Sequence, residues 1–430
     1  MRHITFASGA ISAIALLFIG NVQAEDATDL DALSLADKVP NVTEQARDWR
    51  AFIEGAYGQI NWRATPGRPS PRQDKERLSL DVQYDHVLAP DWRAVLADRL
   101  DISWPAQNAD QHAINTLREA YLSWKARPAT LFDLGRINVR NGVATGYNPT
   151  DFFRADAVRS VVSIEPASLK ENRLGSLMLR GQQLWDSGSL TALYSPKLND
   201  EPSSAGLNPD VGATNHQDRW LLSLSQKVGG FTPQWLVYHE THAAPQFGFN
   251  LTGLVNDSTV AFFEWSGGRS STQLAQALAT MAPACACDAW HDRLSTGLTY
   301  TTPSKLSLTA EYHYDSAALN HDDWNALRRG SPAVYGLYRN GVQTAQELPT
   351  QQELFLYAAW QDALIPRLDL SLMHNLDLVD SSRRLWLEAR YHVGQFEYAL
   401  QWQRNSGHEL SDFGAAPEAS SWQGLLRYYF

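Results

Sequence analysis

Charge, glycine and paired aromatics concentrate in one stretch: Gly135-Arg136-Ile137-Asn138-Val139-Arg140-Asn141-Gly142-Val143-Ala144-Thr145-Gly146-Tyr147-Asn148-Pro149-Thr150-Asp151-Phe152-Phe153-Arg154. It continues through Asp156, Arg159, Glu165, Lys170 and Glu171. Period-two alternation over 135–140 places Arg136, Asn138 and Arg140 on one face and Ile137 and Val139 on the other. An Asn148-Pro149 turn and the mixed charges of Asp151, Arg154, Asp156 and Arg159 follow. Facing one another across a narrow aperture, such charges set up a transverse field that polar solutes tolerate and apolar ones do not. The alternative is an ordinary solvated loop, but Phe152, Phe153, Val158, Val161, Val162 and Ile164 are too apolar for free exposure. Arg99 and Asp101, and further on Arg180 and Gln182, have the same character on alternating segments.

Other chemistry finds weaker support. His321-Asp322-Asp323 and His291-Asp292 put acid beside imidazole, yet adjacent residues point apart in an extended chain, so neither run supplies an acid–base pair. Cys285 and Cys287 have poor spacing for a metal and no accompanying His or Cys cluster; a strained disulfide is compatible with an oxidising compartment. No catalytic residue, metal ligand or cofactor site is assigned. The formal net charge of −11 argues against a nucleic-acid partner.

Residues 1–24 carry a short basic start (Arg2, His3), an apolar run from Ile11 to Ile19 and the small-residue site Val22-Gln23-Ala24, which together read as an export signal. Its removal with Arg2 takes the net charge from −11 to −12. Residues 25–48 are expected to form a short periplasmic segment. No later run of about 18 apolar residues predicts a transmembrane helix. Hydrophobic residues reach 44% but are dispersed, mean hydropathy is −0.35, and aromatics are plentiful at 15 Trp, 16 Tyr and 15 Phe.

From Trp49 onward, segments of about ten residues with strand alternation recur to the end. In 75–85, Leu78, Leu80, Val82 and Tyr84 alternate with Arg77, Ser79, Asp81 and Gln83; 305–315, 383–393 and 395–404 repeat the pattern. Strands are expected at 49–63, 75–86, 92–104, 114–125, 130–140, 173–185, 189–196, 217–228, 231–242, 246–254, 259–266, 291–301, 305–315, 351–361, 367–377, 383–393, 395–404 and 421–430. Tight turns such as Asp186-Ser187-Gly188 and Thr302-Pro303-Ser304 alternate with mostly longer connections, the longest at 141–172, 197–216, 267–290 and 316–350. A soluble sandwich has no reason to keep that parity; a barrel with short turns at its periplasmic end does.

The last nine residues, Trp422 to Phe430, alternate with an aromatic at the end, and resemble the closing strand of Gram-negative outer-membrane β-barrels. The 135–154 stretch resembles the third extracellular loop of porins, and its Gly-Arg start followed by Asn148-Pro149-Thr150-Asp151 looks like a motif of several large barrel families. The chain thus resembles the porin superfamily, its substrate-specific 18-stranded members most. The resemblance implies an all-β, transmembrane, antiparallel up-and-down barrel of about 18 strands over 49–430, with an inward-folded third extracellular loop. It further implies an outer-membrane channel for passive diffusion of small hydrophilic solutes. Expected constriction and pore-lining residues are Arg136, Asn138, Arg140, Asn148, Asp151, Arg154, Asp156, Arg159, Arg99, Asp101 and Arg180. The implied partners are outer-membrane lipid and lipopolysaccharide, the polar solutes, the barrel-assembly machinery reading the C-terminal strand, and sister subunits of a candidate homotrimer. A conduit exporting a secreted polysaccharide is the second reading, and it calls for a strongly cationic lumen. A barrel-borne hydrolase is the third; outer-membrane proteases resemble much smaller barrels, and the chain is not expected to be an enzyme.

Overall fold

The computed structural model describes residues 48–64, 71–106, 111–203, 205–279 and 288–430. The export signal expected at 1–24, residues 25–47, and Cys285 and Cys287 lie outside them. Eighteen strands form one sheet: β1 (Trp49–Trp62), β2 (Arg72–Ala89), β3 (Trp92–Trp104), β4 (Ala113–Arg127), β5 (Thr130–Ile137), β6 (Ser176–Trp185), β7 (Gly188–Ser195), β8 (Arg219–Gln226), β9 (Gln234–Glu240), β10 (Gln246–Asn256), β11 (Thr259–Ser270), β12 (Ala289–Thr301), β13 (Leu306–Asp315), β14 (Gln352–Trp360), β15 (Leu368–Asp377), β16 (Arg383–Val393), β17 (Phe396–Ser406) and β18 (Glu418–Tyr429). Each pairs antiparallel with its chain neighbours, and β18 pairs with β1 from Phe52↔Tyr429 to Trp62↔Glu418. Closure leaves no free edge, which is what a β-structure needs where no water can satisfy backbone groups.

The two faces of the wall have opposite chemistry. On β2, Leu78 and Leu80 are 41% and 44% exposed, while the intervening Ser79 and Asp81 are 0% and 1% exposed. A water-soluble core would reverse that order; an apolar outside around a polar inside suits a barrel in lipid. Aromatics meet on the outer face, as in the stacked Trp92–Trp124 pair near the strand ends with centroids 5.8 Å apart and the Tyr57–Trp422 pair at 5.9 Å across the closing seam. On β18, Trp422, Leu426 and Phe430 face outward and Gln423 and Arg427 inward, the arrangement that alternation predicts.

At mid-strand, outward Asp98 breaks the pattern. Asp98 sits on the apolar face of β3 midway between Trp92 and Trp104, beside Leu96 and Leu100, and its carboxylate accepts from Asn115 Nδ2 at 2.8 and 2.9 Å. A carboxylate at that depth opposes insertion by about 1–2 kcal/mol, less than a cation would. Replacing both partners, Asp98→Leu with Asn115→Leu, leaves no donor unpaired and is therefore expected to raise the unfolding free energy in lipid vesicles by about 1 kcal/mol; an unchanged or lower value would refute this.

Among the described residues five helices lie in the connections: α1 (Pro166–Glu171), α2 (Val211–Thr214), α3 (Gln273–Leu278), α4 (His321–Arg329) and α5 (Pro332–Ala345). Helices α3, α4 and α5 enclose a small core of Leu319, Trp324, Leu327, Tyr338 and Val342. The stretch read only as a long connection at 316–350 is thus folded. Its His321-Asp322-Asp323 run is a helix start, with the Asn320 side chain accepting from the Asp322 and Asp323 amides and both carboxylates in the first turn, where the helix dipole favours them.

Candidate functional site

The connection between β5 and β6 carries the densest set of contacts to the inner face. Gly135 adopts φ +141°, and β5 stops at Ile137, short of the expected residue 140. The alternation expected across Arg136–Arg140 is broken there. Ile137 does not face lipid: it is buried with Phe153, Met178, Leu193, Leu221, Leu236 and Tyr238, and Val139 packs on the same cluster. The inner wall from β5 to β9 is apolar enough to seat Phe152 and Phe153, with Phe152 stacked on Tyr238 at 4.7 Å. This is where the apolar residues of the connection find cover.

Two inward carboxylates bind the next turn. Glu264 on β11 is fully buried and accepts the amides of Val143 (2.9 Å), Ala144 (3.1 Å) and Thr150 (3.1 Å), the Thr150 hydroxyl (2.9 Å) and Asn148 Nδ2 (3.2 Å). Gly142, at φ +93°, lies so close that a Cβ there would stand 2.3 Å from Glu264 Oε1. Glu311 on β13 accepts the amides of Thr145 (2.7 Å) and Gly146 (2.9 Å) and contacts His313 Nε2 at 2.9 Å. Ser295 on β12 donates to the Tyr147 carbonyl at 2.5 Å. Successive amides wrapped around an anion form a nest, and here the anions are the protein's own side chains.

Farther on, the Val162 carbonyl accepts from Arg77 on β2 (3.1 Å) and Gln423 on β18 (3.0 Å). Ile164 packs on Phe355, Met373 and Trp386, and the Tyr357 hydroxyl donates to Glu165 at 3.2 Å.

The residues singled out in the sequence take varied places. Arg99 and Asp101 pair at 2.9 Å on the inner face of β3, and Asp101 also accepts from Ser79 at 2.6 Å. Arg180 pairs with Asp133 at 2.7 Å and remains part-exposed. Arg136 donates to the Pro209 and Asp210 carbonyls. Asn138 binds the Lys170 carbonyl at 3.0 Å, and Asn148 the Ala144 carbonyl at 2.7 Å. Asp151 pairs with Arg173 at 2.8 Å. Arg154 meets Glu347 at 2.6 Å and lies over the Tyr147 ring. Burial disfavours its charge, but Glu347 and Tyr147 outweigh that and hold the guanidinium above its ordinary pKa. Asp156, at φ +58°, donates its amide to the Thr344 carbonyl, and burial pushes its carboxyl upward. Arg159 donates to the carbonyls of Asn115 (2.9 Å), Asn208 (2.8 Å), Ala205 (3.2 Å) and Ser203 (3.4 Å). The Asn115 amide donates to the Gly206 carbonyl at 2.7 Å, so the connection after β7 touches β4 beyond the point where β5 has ended. Arg140 is exposed. With Arg118 and Arg50 it outweighs the effect of burial and holds Glu171 below the ordinary carboxylate range.

Sequence reading missed an ion-pair chain along the inner wall. It runs from Glu388–Arg390 (2.8 Å) on β16 through Glu397–Arg427 (3.1 Å) to Glu54, which holds Arg427 (2.7 Å), Arg77 (2.5 Å) and Arg99 (3.2 Å). Asp81–Arg118 (2.8 Å) and Arg118–Glu171 (3.4 Å) extend it to α1. The available signal was the register: each of these residues except Glu171, which lies on α1, has the inner parity of its strand. His291 and Asp292 do not act together either. Asp292 accepts the indole N–H groups of Trp265 (3.1 Å) and Trp290 (2.9 Å) on the outer face.

No protein-family model and no curated protein matches the sequence. Among solved structures, a BenF-like porin from Pseudomonas fluorescens Pf-5 superposes with TM-score 0.56 at 10% identity, covering 89% of this chain and 98% of that one. Acinetobacter baumannii OccAB1 gives 0.55 at 10% identity, with 91% and 98% covered, and Pseudomonas aeruginosa OccK5 (OpdH) gives 0.52 at 9%, with 89% and 98% covered. At these identities the likeness is one of fold: this chain shares the barrel of the BenF-like porin and of the other two structures.

Proposed function

We propose that the chain is a passive channel of a bacterial outer membrane for small hydrophilic solutes, exported by residues 1–24 and preceded by a short periplasmic segment. The observation that carries this is the closed barrel with an apolar outside and a charged inside. The 138–165 connection is the constriction in this reading, supported by its bonds to β10–β13 on one side and to β2 and β18 on the other. The solute path then follows the β16–β6 side, where Arg50, Glu171, Arg180, Arg390 and Arg427 keep part of their side chains exposed. Both charge signs occur there, most as pairs. Pairing of that kind suits small polar solutes better than a long polyanion, so the export-conduit reading gains no support.

Planar-bilayer conductance together with liposome swelling in sugars, amino acids and carboxylates tests the proposal. Steady conductance with solute-size-dependent swelling is expected; barrels that insert but conduct nothing would overturn it. Arg140, which is exposed, and Arg180, which stays part-exposed beside Asp133, are the cations to neutralise; Arg136, Arg154 and Arg159 are committed to protein acceptors. A unit charge about 4 Å from a permeating ion is worth about 1 kcal/mol in water. Arg140→Gln with Arg180→Gln should therefore shift the reversal potential under a salt gradient toward cations by a few-fold in permeability ratio. An unchanged reversal potential would remove both residues from the path.

A further inference from the structure

We infer that the outer face of β15–β17, at the end bearing the long connections, is a binding site for the phosphate group of a membrane lipid. The inference rests on the outer-membrane reading above. Three basic side chains share that face. His374 on β15 stands opposite Leu385 on β16, and Leu385 opposite Arg404 on β17, so His374 and Arg404 flank Leu385 in one row, about 9.5 Å apart by strand spacing. Arg383 stands opposite Ser406, diagonal to Arg404 at about 7 Å. Arg383 and Arg404 are exposed, and among the described residues no carboxylate forms an ion pair with either.

This contrasts with Arg77, Arg99, Arg118 and Arg427 of the inner wall, each of which has a carboxylate partner. Two like charges left diagonal on a strand pair repel each other, so their placement favours an anion from outside the chain. Depth points to the same partner. Arg404 lies one outward position beyond Trp402, which faces Trp422 across β17–β18; this aromatic pair marks the upper interface of the apolar band. Cations just beyond it stand at the level of lipid phosphates, with the indoles below at the level of the first acyl carbons.

The site is also shaped. A cavity of about 420 Å³ beside Arg404 is lined by Arg63, Trp402, Asn405, Ser406, Gly407, Ala419 and Ser420. Arg63 is fixed there, donating to the carbonyls of Ala416 (2.9 Å), Asn405 (2.7 Å) and Phe413 (3.0 Å). Ser420, opposite Arg404, is itself held by Asn61 at 3.1 Å. Arg63 so held shapes the concave wall, and the Arg404 guanidinium with the Ser406 and Ser420 hydroxyls beside it matches a phosphate monoester or diester.

The test uses the full barrel purified in a zwitterionic detergent and titrated with lipopolysaccharide, phosphatidylglycerol and inorganic phosphate, bound species being read by native mass spectrometry. Lipopolysaccharide should bind, and Arg383→Gln with Arg404→Gln should weaken it by about tenfold or more, at about one decade per 1.4 kcal/mol of charge-assisted contact. Arg383→Lys with Arg404→Lys should retain part of the affinity. Millimolar inorganic phosphate should leave the lipid bound; displacement by it would assign a free-anion site and overturn the lipid assignment, as would equal lipid binding in wild type and the Gln variant. Binding of phosphatidylglycerol as tight as that of lipopolysaccharide would support the phosphate and assign it to lipids at large. Conductance of the same preparations separates the two proposals. A conducting barrel with charge-independent lipid binding refutes this inference alone, and a non-conducting barrel with charge-dependent binding refutes only the channel.

Discussion

Replacing Glu54 by alanine is expected to destabilise the barrel by about 3–5 kcal/mol, the cost of leaving buried charge without its partner. Glu54 is 2% exposed and is shared by three guanidinium groups from three strands: Arg427 of β18, Arg77 of β2 and Arg99 of β3. The arginines have unequal fallbacks. Arg99 keeps Asp101 and Arg427 keeps Glu397, whereas Arg77 is left with the Val162 carbonyl. Removing Arg427 instead leaves Glu54 with Arg77 and Arg99, so Arg427→Met should cost clearly less. Because Glu54 lies on the strand that closes the barrel against β18, the loss should also appear as reduced heat-modifiable mobility on unboiled gels. Denaturant unfolding in lipid vesicles measures both variants, and equal costs for Glu54→Ala and Arg427→Met would refute the hub.

Much of the wall was legible because a strand in lipid has only two faces. Leu78, Leu80 and Asp81 declare theirs by residue type, and a run of such segments with alternating short and long connections leaves few topologies besides an up-and-down barrel. The C-terminal strand was legible for the same reason: Gln423 and Arg427 have no place in hydrocarbon. Where the reading failed, a local rule met a non-local fact. Alternation assigned Ile137 and Val139 to lipid because nothing in residues 135–140 announces that Gly135 turns the chain and that Met178, Leu193, Leu221 and Leu236 offer an apolar seat inside. Arg136 and Arg159 read as pore charges because their carbonyl acceptors at 203–210 lie tens of residues away in sequence. Glu264 and Glu311 were invisible as anchors, since parity says only that they face inward; which inner carboxylate meets the Gly142–Thr150 nest depends on curvature that no strand pair encodes.

In the proposed channel, Glu264→Gln is expected to turn steady conductance into switching among conductance levels. The carboxylate accepts five hydrogen bonds from one turn of the connection, three of them from backbone amides. An amide of the same volume has one oxygen, and its NH2 would face the Val143 and Ala144 amides or those of Thr150, donor against donor. Hydrogen bonds to charged acceptors contribute about 1.5–3 kcal/mol each, and a buried donor left unpaired costs about 1–3 kcal/mol. Losing two or three of them is comparable to the free energy that keeps a loop docked. The rest of the anchor remains, at Glu311 and at Phe152 and Phe153, so the connection should undock reversibly and leave the barrel intact. Single-channel records then separate positioning from general damage through a second background. In a barrel whose 143–152 segment is replaced by a short Gly-Ser link, Glu264→Gln should add no further switching, because the nest it served is gone. Equal switching in both backgrounds would mean that Glu264 acts through the β11 wall, and a steady full-size pore in Glu264→Gln would mean that the carboxylate does not hold the constriction.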